Sequence, residues 1–355
     1  MIKHLRYFLS PFILLVAIFA VLKGNYYPLF FIILFDVLIE LGDTFLDQDD
    51  KPFDNPVPSI LNTALYINLP LLLVFVFLVL SLLTKGNAIW FISIWEYIGI
   101  DLVNTKESLM FADKCALLLY TMPLFIATMG TNVGHELTHR KRKSFDMFVG
   151  NWLLAFSWDC TFAIEHVYGH HKNIGFKSDP ATASRNENIY MFILRSTIKA
   201  HKDAWKIELD RLKRANNFQF SLRNKMIQGY MRSLFLCFIA FSIGGYIGLL
   251  IFIFWAFIAK AYLETINFVE HYGLVRAKGE PVLPKHSWNS NHVLSSSLLY
   301  NLNRHSAHHE KANHRYWELK AYPNAPMLPH GYLACLMLAL FCPLYFRKMM
   351  KPKLK

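Results

Sequence analysis

The most constraining feature of this chain is a series of long apolar runs at 7–22, 27–41, 60–83, 112–134 and 230–268. Backbone amides placed in hydrocarbon find no water, so a run that crosses a bilayer must satisfy its own N–H and C=O groups, which a helix does. A crossing helix needs about 20 apolar residues. The first two runs are separated by Lys23-Gly24-Asn25 and read as a helical hairpin. The block 230–268 is too long for one simple span and contains Gly244-Gly245. It reads as two helices near 231–247 and 249–268, with a single kinked helix as the alternative. Weaker apolar stretches at 88–100, 145–163 and 331–346 carry Glu96, Asp146, Asp159 or proline, and read as interfacial or packed on protein. The predicted fold is all-α: one membrane-embedded domain over 1–355 with about six transmembrane helices. Composition excludes the alternatives. Charged residues are 17% of the chain, against about 25% in soluble domains. Aromatic content of 15% excludes disorder, and 5 Cys without a CxxC pair exclude a disulfide scaffold.

Six crossings put both termini on one side, and Lys and Arg near helix ends favour the cytoplasm. Lys3, Arg6, the run Arg140-Lys141-Arg142-Lys143, the basic stretch 195–225 and Lys348, Lys351, Lys353 and Lys355 all fall inside under one assignment. The expected location is the inner (plasma) membrane, multi-pass, with both termini cytoplasmic. The N-terminus has the basic start and apolar core of a signal peptide. Leu22-Lys23-Gly24 is a poor cleavage site, however, so the segment reads as a first transmembrane helix. The net charge of +12 follows from this bias and from contact with anionic membrane lipids. No motif points to nucleic acid. Residues 172–229 are the one long soluble stretch, read as amphipathic helices on the membrane face.

The chain has 15 His, and nine of them form four groups. These are His135 with His139; His166 with His170 and His171; His271 after Glu270; and His305 with His308 and His309. Spacings of three and four residues place side chains on one helix face, so each group reads as addressing one site. A lone HxxxH pair is most often a satisfied polar pair, and a lone His after a helix is most often structural. The joint occurrence is what changes this, because all four groups map to helix ends or loops on the same predicted side, in segments 135–229 and 269–330. Histidine near lipid tends to mark function. Nine imidazoles exceed the four ligands of a zinc site, and the absence of thiolates excludes an iron–sulfur cluster. Two first-row ions sharing about nine nitrogen ligands fit, iron first given the redox chemistry below. The paired Glu-x-x-His motifs of soluble di-iron bundles are absent. A competing reading exists: His135-Glu136-Leu137-Thr138-His139 is literally the H-E-x-x-H zinc-protease signature. It explains two histidines, leaves seven unexplained, and finds no transmembrane Leu-Asp-Gly to supply a third ligand. Six histidines (His4, His201, His286, His292, His314 and His330) stand outside the groups.

The stretches HELTHR, EHVYGHHK, NFVEHYGL and LNRHSAHHEK resemble the integral-membrane alkane monooxygenases, the alkane omega-hydroxylase branch of the histidine-rich di-iron hydroxylase and desaturase superfamily. The likeness extends to Asp179-Pro180-Ala181 and to 325–332, and covers most of the chain from about residue 110 onward. The box spacings are shared with membrane desaturases; the EHYGL element and LNRHSAHH are more specific. Thr138 stands where the family usually has Gly, and Asn303 where it usually has Gln. The resemblance implies that the nine grouped histidines bind two Fe ions, with Asp179 and Glu270 as outer carboxylates orienting imidazoles. It implies O2-dependent hydroxylation of the terminal carbon of medium-chain n-alkanes that arrive from the bilayer. A membrane fatty-acyl desaturase or a xylene-type hydroxylase with the same metal site is the alternative. An unactivated C–H bond gives no handle to acid–base or nucleophilic catalysis, so a redox metal must act on it. The chain has no flavin or nicotinamide fingerprint, and the resemblance implies electrons from a rubredoxin-type carrier with its reductase. Phe30, Phe31, Phe35, Trp152 and Trp158 are candidates to line an alkane channel or to face lipid.

Overall fold

The computed structural model describes residues 2–85, 88–322 and 324–354, so Lys355 of the basic tail lies outside the described residues. Among the described residues, four helices are long and apolar enough to cross a membrane: Lys3–Lys23 (α1), Pro58–Leu83, Phe111–Thr138 and Lys225–His271. Between the first two lies Tyr27–Phe45 (α2), 19 residues long and carrying Asp36, Glu40 and Asp43. We number Pro58–Leu83 as α3 and Phe111–Thr138 as α4. The short Ser144–Ala155 is α5 and Ile189–Arg214 is α6.

The 47-residue helix Lys225–His271 is two helices. Gly245 breaks it with φ 60° and ψ −153°, a backbone region essentially restricted to glycine. A Cβ on Gly248 would lie 2.6 Å from the carbonyl oxygen of Ala240. Eight residues along a straight helix span about 12 Å, so the chain has turned back on itself. Residues 225–244 (α7) and 246–271 (α8) run antiparallel, with Tyr230 and Leu234 of one arm beside Phe257 and Lys260 of the other. The two-helix alternative is the observed one.

Four chain segments gather at one end of the bundle: Gly24 lies against Ser108 and Gly244 against Thr84, and Ser81, Lys106 and Ile243 border one cavity there. The histidine groups lie at the opposite end. Between the ends, Phe75, Phe125, Phe156, Phe252 and Trp255 are fully buried. Phe12, Phe19, Ile33, Phe238, Leu250 and Phe257 are exposed on the outside. So much outward apolar surface is hostile to water and suited to lipid. The helix α6 is amphipathic as expected. Phe192, Ser196, Ala200, Ala204, Glu208 and Leu212 bury one stripe at a four-residue interval.

Two local features aim the first histidines. Within α4, Leu117–Thr121 and Ile126–Thr131 are π-helical. Each inserted residue rotates the following face by about 100° relative to a pure α-helix, so the face carrying His135 depends on both. Glycines then let α5 lie against that turn. A Cβ on Gly134 would come 3.0 Å from the Gly150 carbonyl, and one on Gly150 would come 2.9 Å from the Leu137 Cβ.

Candidate metal centre

All nine grouped histidines converge, in two adjoining sets. His135, His139, His166, His171 and His308 form one; His170, His271, His305 and His309 form the other. Within each set the ligand-capable nitrogens lie within 4.8 Å of one another. In the first set, the His135 Nε2 lies 3.0 Å from that of His139 and 2.9 Å from that of His308. The His171 Nε2 is 3.1 Å from those of both His166 and His308. Hydrogen bonding cannot satisfy this chain of contacts. A neutral imidazole nitrogen either donates one proton or accepts, so alternation along five nitrogens supplies too few protons for every close pair. A first-row ion does satisfy it. With metal–nitrogen bonds of about 2.0–2.1 Å, ligands at right angles are about 3 Å apart. The donor set therefore fits a bound metal in each group.

The assignment to sets departs from the sequence reading. His166 and His170 are four apart, yet they join different sets, and His171 goes with His166. The helix there is π-helical over His166–His170. In the last box His305 and His309 share one set while His308 serves the other. These two boxes lie between the centres and feed both, which spacing alone cannot reveal. The other six histidines belong to neither set among the described residues. His4 accepts from the Val57 N–H, His201 meets Tyr230, and His292 meets Ser290.

Burial and mutual proximity hold His139, His166, His171, His305 and His309 well below the usual imidazole value. Burial, with His170 nearby, lowers His308 to about 3. They are neutral at pH 7, the state that binds metal.

Asp179 is buried and accepts from His170 Nδ1 at 2.9 Å, from the Thr182 hydroxyl at 2.6 Å and from the Ala181 N–H at 3.3 Å. Burial pushes its carboxyl up, but His170 and Thr182 hold it below the usual range. The contact fixes the proton on His170 Nδ1 and leaves Nε2 free toward the centre. Glu270 sits differently from the outer position the sequence reading gave it. One carboxylate oxygen lies 3.1 Å from His305 Nε2, the nitrogen that faces the set, and the other accepts from the Tyr332 hydroxyl. Glu136, the general base of the protease reading, is tied to Arg140 at 2.7 Å and accepts from the Tyr316 N–H.

An apolar cavity runs from these histidines into the bundle. His135, His166 and His305 border it, and Phe35, Leu124, Leu298 and Leu336 form its walls. Of the five aromatic channel candidates, Phe35 alone is on this wall. Phe31 stands behind it, 6.1 Å from Phe125, while Phe30 is exposed. Trp152 packs on Phe235, and Trp158 lines a separate cavity. Asn132, Asn267 and Tyr332 also border the apolar cavity; Asn267 and Tyr332 lie in stretches that carry the resemblance, where they had no assigned role, and Asn132 lies in none.

A helical membrane bundle with buried, split histidine boxes defines the class. The chain belongs to the fatty acid desaturase family, whose model matches residues 114–339. Within that class it is similar to the alkane 1-monooxygenases. It is 33% identical over 331 residues to "Alkane 1-monooxygenase 1" of Alcanivorax borkumensis, covering 90% of this chain and 76% of that one. It is 37% identical over 237 residues to "Alkane 1-monooxygenase 2" of Pseudomonas aeruginosa. That match covers 65% of this chain and 62% of the relative's length. The xylene/toluene monooxygenase hydroxylase component of Pseudomonas putida is 34% identical over 223 residues, covering 63% of this chain and 60% of that protein.

Proposed function

We propose that this protein is an O2-dependent monooxygenase that hydroxylates the terminal carbon of medium-chain n-alkanes, with the nine grouped histidines as ligands of two non-haem irons. The observation that carries the reading is the placement of the imidazoles at the end of a long apolar cavity. The bound irons supply the O2-activating redox chemistry that side chains lack. The protein's own residues do the rest by placement. Phe35, Leu298 and Leu336 offer an alkane only shape and dryness, which selects a substrate without polar groups and excludes water. His135, His166 and His305 define the end where the chain terminus must lie. Asp179 holds His170 in one tautomer, and Glu270 with Tyr332 places a hydrogen-bonded polar pair at the cavity edge beside His305.

Electrons come from outside the chain, through a rubredoxin-type carrier and its reductase. The protein lies in the inner membrane with six crossings and the histidine end on the cytoplasmic side, where Arg140-Lys141-Arg142-Lys143 follow α4. The test is product analysis with purified protein, rubredoxin, its reductase and NADH. Presented with dodecane, a fatty acyl chain and an alkylbenzene, it should form 1-dodecanol fastest. A new double bond in the acyl chain, or benzylic alcohol as the main product, would replace this reading with a desaturase or a xylene-type hydroxylase.

A further inference from the structure

Beside the centre, behind Phe162, His166 and Asn267 of the alkane cavity wall, lies a polar knot that hydroxylation chemistry, as described so far, leaves unused. Lys260 of α8 binds Asp159 at 2.9 Å and Glu264 at 2.8 Å. Glu264 also accepts from the Ser196 hydroxyl at 2.6 Å and from the Asn267 amide at 3.1 Å. Both carboxylates are buried, while Lys260 is 13% exposed. A buried ammonium needs one carboxylate for neutrality. This one has two, so the knot holds one carboxylate beyond charge balance.

Cavities flank the knot on both sides. An outer one of about 460 Å³ reaches the surface beside the exposed Trp158 and is bordered by His201, Asp159 and Lys260. An inner one of about 20 Å³, room for about one water, is bordered by Lys260, Glu264, Glu165, His166 and His170. Thr161 and Lys260 border both. The inner cavity therefore joins the knot to both histidine sets, and Glu165, Ser196, Lys260 and Glu264 bring ionisable and hydroxyl groups to its wall.

We propose that Asp159, Lys260 and Glu264 form the inlet of a polar passage that delivers protons to the histidine centre and lets product water leave, separately from the cavity that takes the alkane. The proposal rests on the hydroxylase reading. Each turnover breaks O–O and C–H, places one oxygen in the alcohol and the other in water, and consumes two electrons from the one-electron carrier protein and two protons from the medium. A dry alkane cavity supplies no protons. The passage supplies them where Glu264 can hand on a proton and be reprotonated past Lys260 from the outer cavity. Glu264 is thus a relay carboxylate, not a catalytic residue.

Glu264→Gln keeps the shape but cannot carry the proton, and it exchanges one oxygen, of the two that accept from Lys260 on one side and from Ser196 and Asn267 on the other, for an NH2 that cannot accept. With iron content unchanged, we expect kcat to fall at least about tenfold, KM for alkane to stay within a factor of about two, and the solvent deuterium isotope effect on kcat to rise. Asp159→Asn should act in the same direction and covers the case in which Glu264→Gln does not fold. A readout independent of turnover is the reaction of Ala256→Cys, buried on the outer cavity wall, with a small charged thiol reagent. It should be modified well above the background of the native cysteines in iron-free protein, whereas Leu336→Cys on the alkane cavity wall should resist. Wild-type kcat and isotope effect in both carboxamide variants, or an unreactive Ala256→Cys, would overturn the passage. Absence of alkane oxidation by the wild-type protein would instead overturn the hydroxylase reading, with the labelling result still deciding whether the passage is wet.

Discussion

His271 is the one member of its set that arrives without a neighbouring histidine in the sequence, and its Nε2 lies 3.2 Å from that of His305. Replacing it by Ala leaves the set of His170, His305 and His309 one nitrogen short, which no adjacent side chain replaces. We expect His271→Ala to lose hydroxylation and iron together, while His292→Ala, which only loses a contact with Ser290, keeps both; iron analysis beside product formation checks this. A second expectation concerns protons. The unfolded chain protonates its imidazoles below about pH 6.5, whereas burial keeps His139, His166, His171, His305 and His309 neutral in the folded chain, and His308 down to about 3. The unfolded state then binds more protons, so iron-free protein should lose stability steadily as pH falls below 6.5 and show little dependence from these groups above it. A melting temperature unchanged between pH 7 and pH 5 would contradict this. At this scale the sequence was unusually legible, because imidazoles at three- and four-residue intervals have few structural uses near lipid. The division of the nine into sets was not legible. It depends on which way His166, His170 and His308 turn, and that is decided by packing between boxes far apart in sequence.

At the scale of elements, apolar length announced the helices, and Gly244-Gly245 marked the turn inside the longest run. The π-helical segments of α4 and of His166–His170 carried no signal, since an inserted residue leaves hydrophobic periodicity almost intact. The turn gives a clean test. Nothing lies within 4 Å of a Cβ built on Gly245, yet its φ of 60° disfavours any side chain. Gly245→Ala should therefore destabilise the protein by about 1–3 kcal/mol through backbone strain alone, read as a lower unfolding temperature in detergent with iron content retained. An unchanged unfolding temperature would mean that the reversal between α7 and α8 tolerates a Cβ.

At the scale of the whole molecule, the fold brings an apolar cavity and a histidine-rich end together in one bundle. Phe35 is a bulky wall residue with Phe125 and Phe31 at 5.5 Å and 6.5 Å, so removing its ring enlarges the cavity. Phe35→Ala should shift the preferred n-alkane to longer chains, measured as product ratios from an alkane mixture; an unchanged ratio would place the alkane elsewhere. The long-range partnerships were hidden in the sequence. Arg304 meets Asp49 at 2.6 Å, and Asp49 meets Arg6 at the same distance, tying the last histidine box to the N-terminal helix. The central claim, that the nine imidazoles hold two irons that oxidise an alkane, is tested most directly by iron titration of metal-free protein. Alkane hydroxylation, measured with rubredoxin, its reductase and NADH present, should rise with bound iron and saturate at about two per chain. Saturation at one iron, or full activity with zinc in its place, would contradict it.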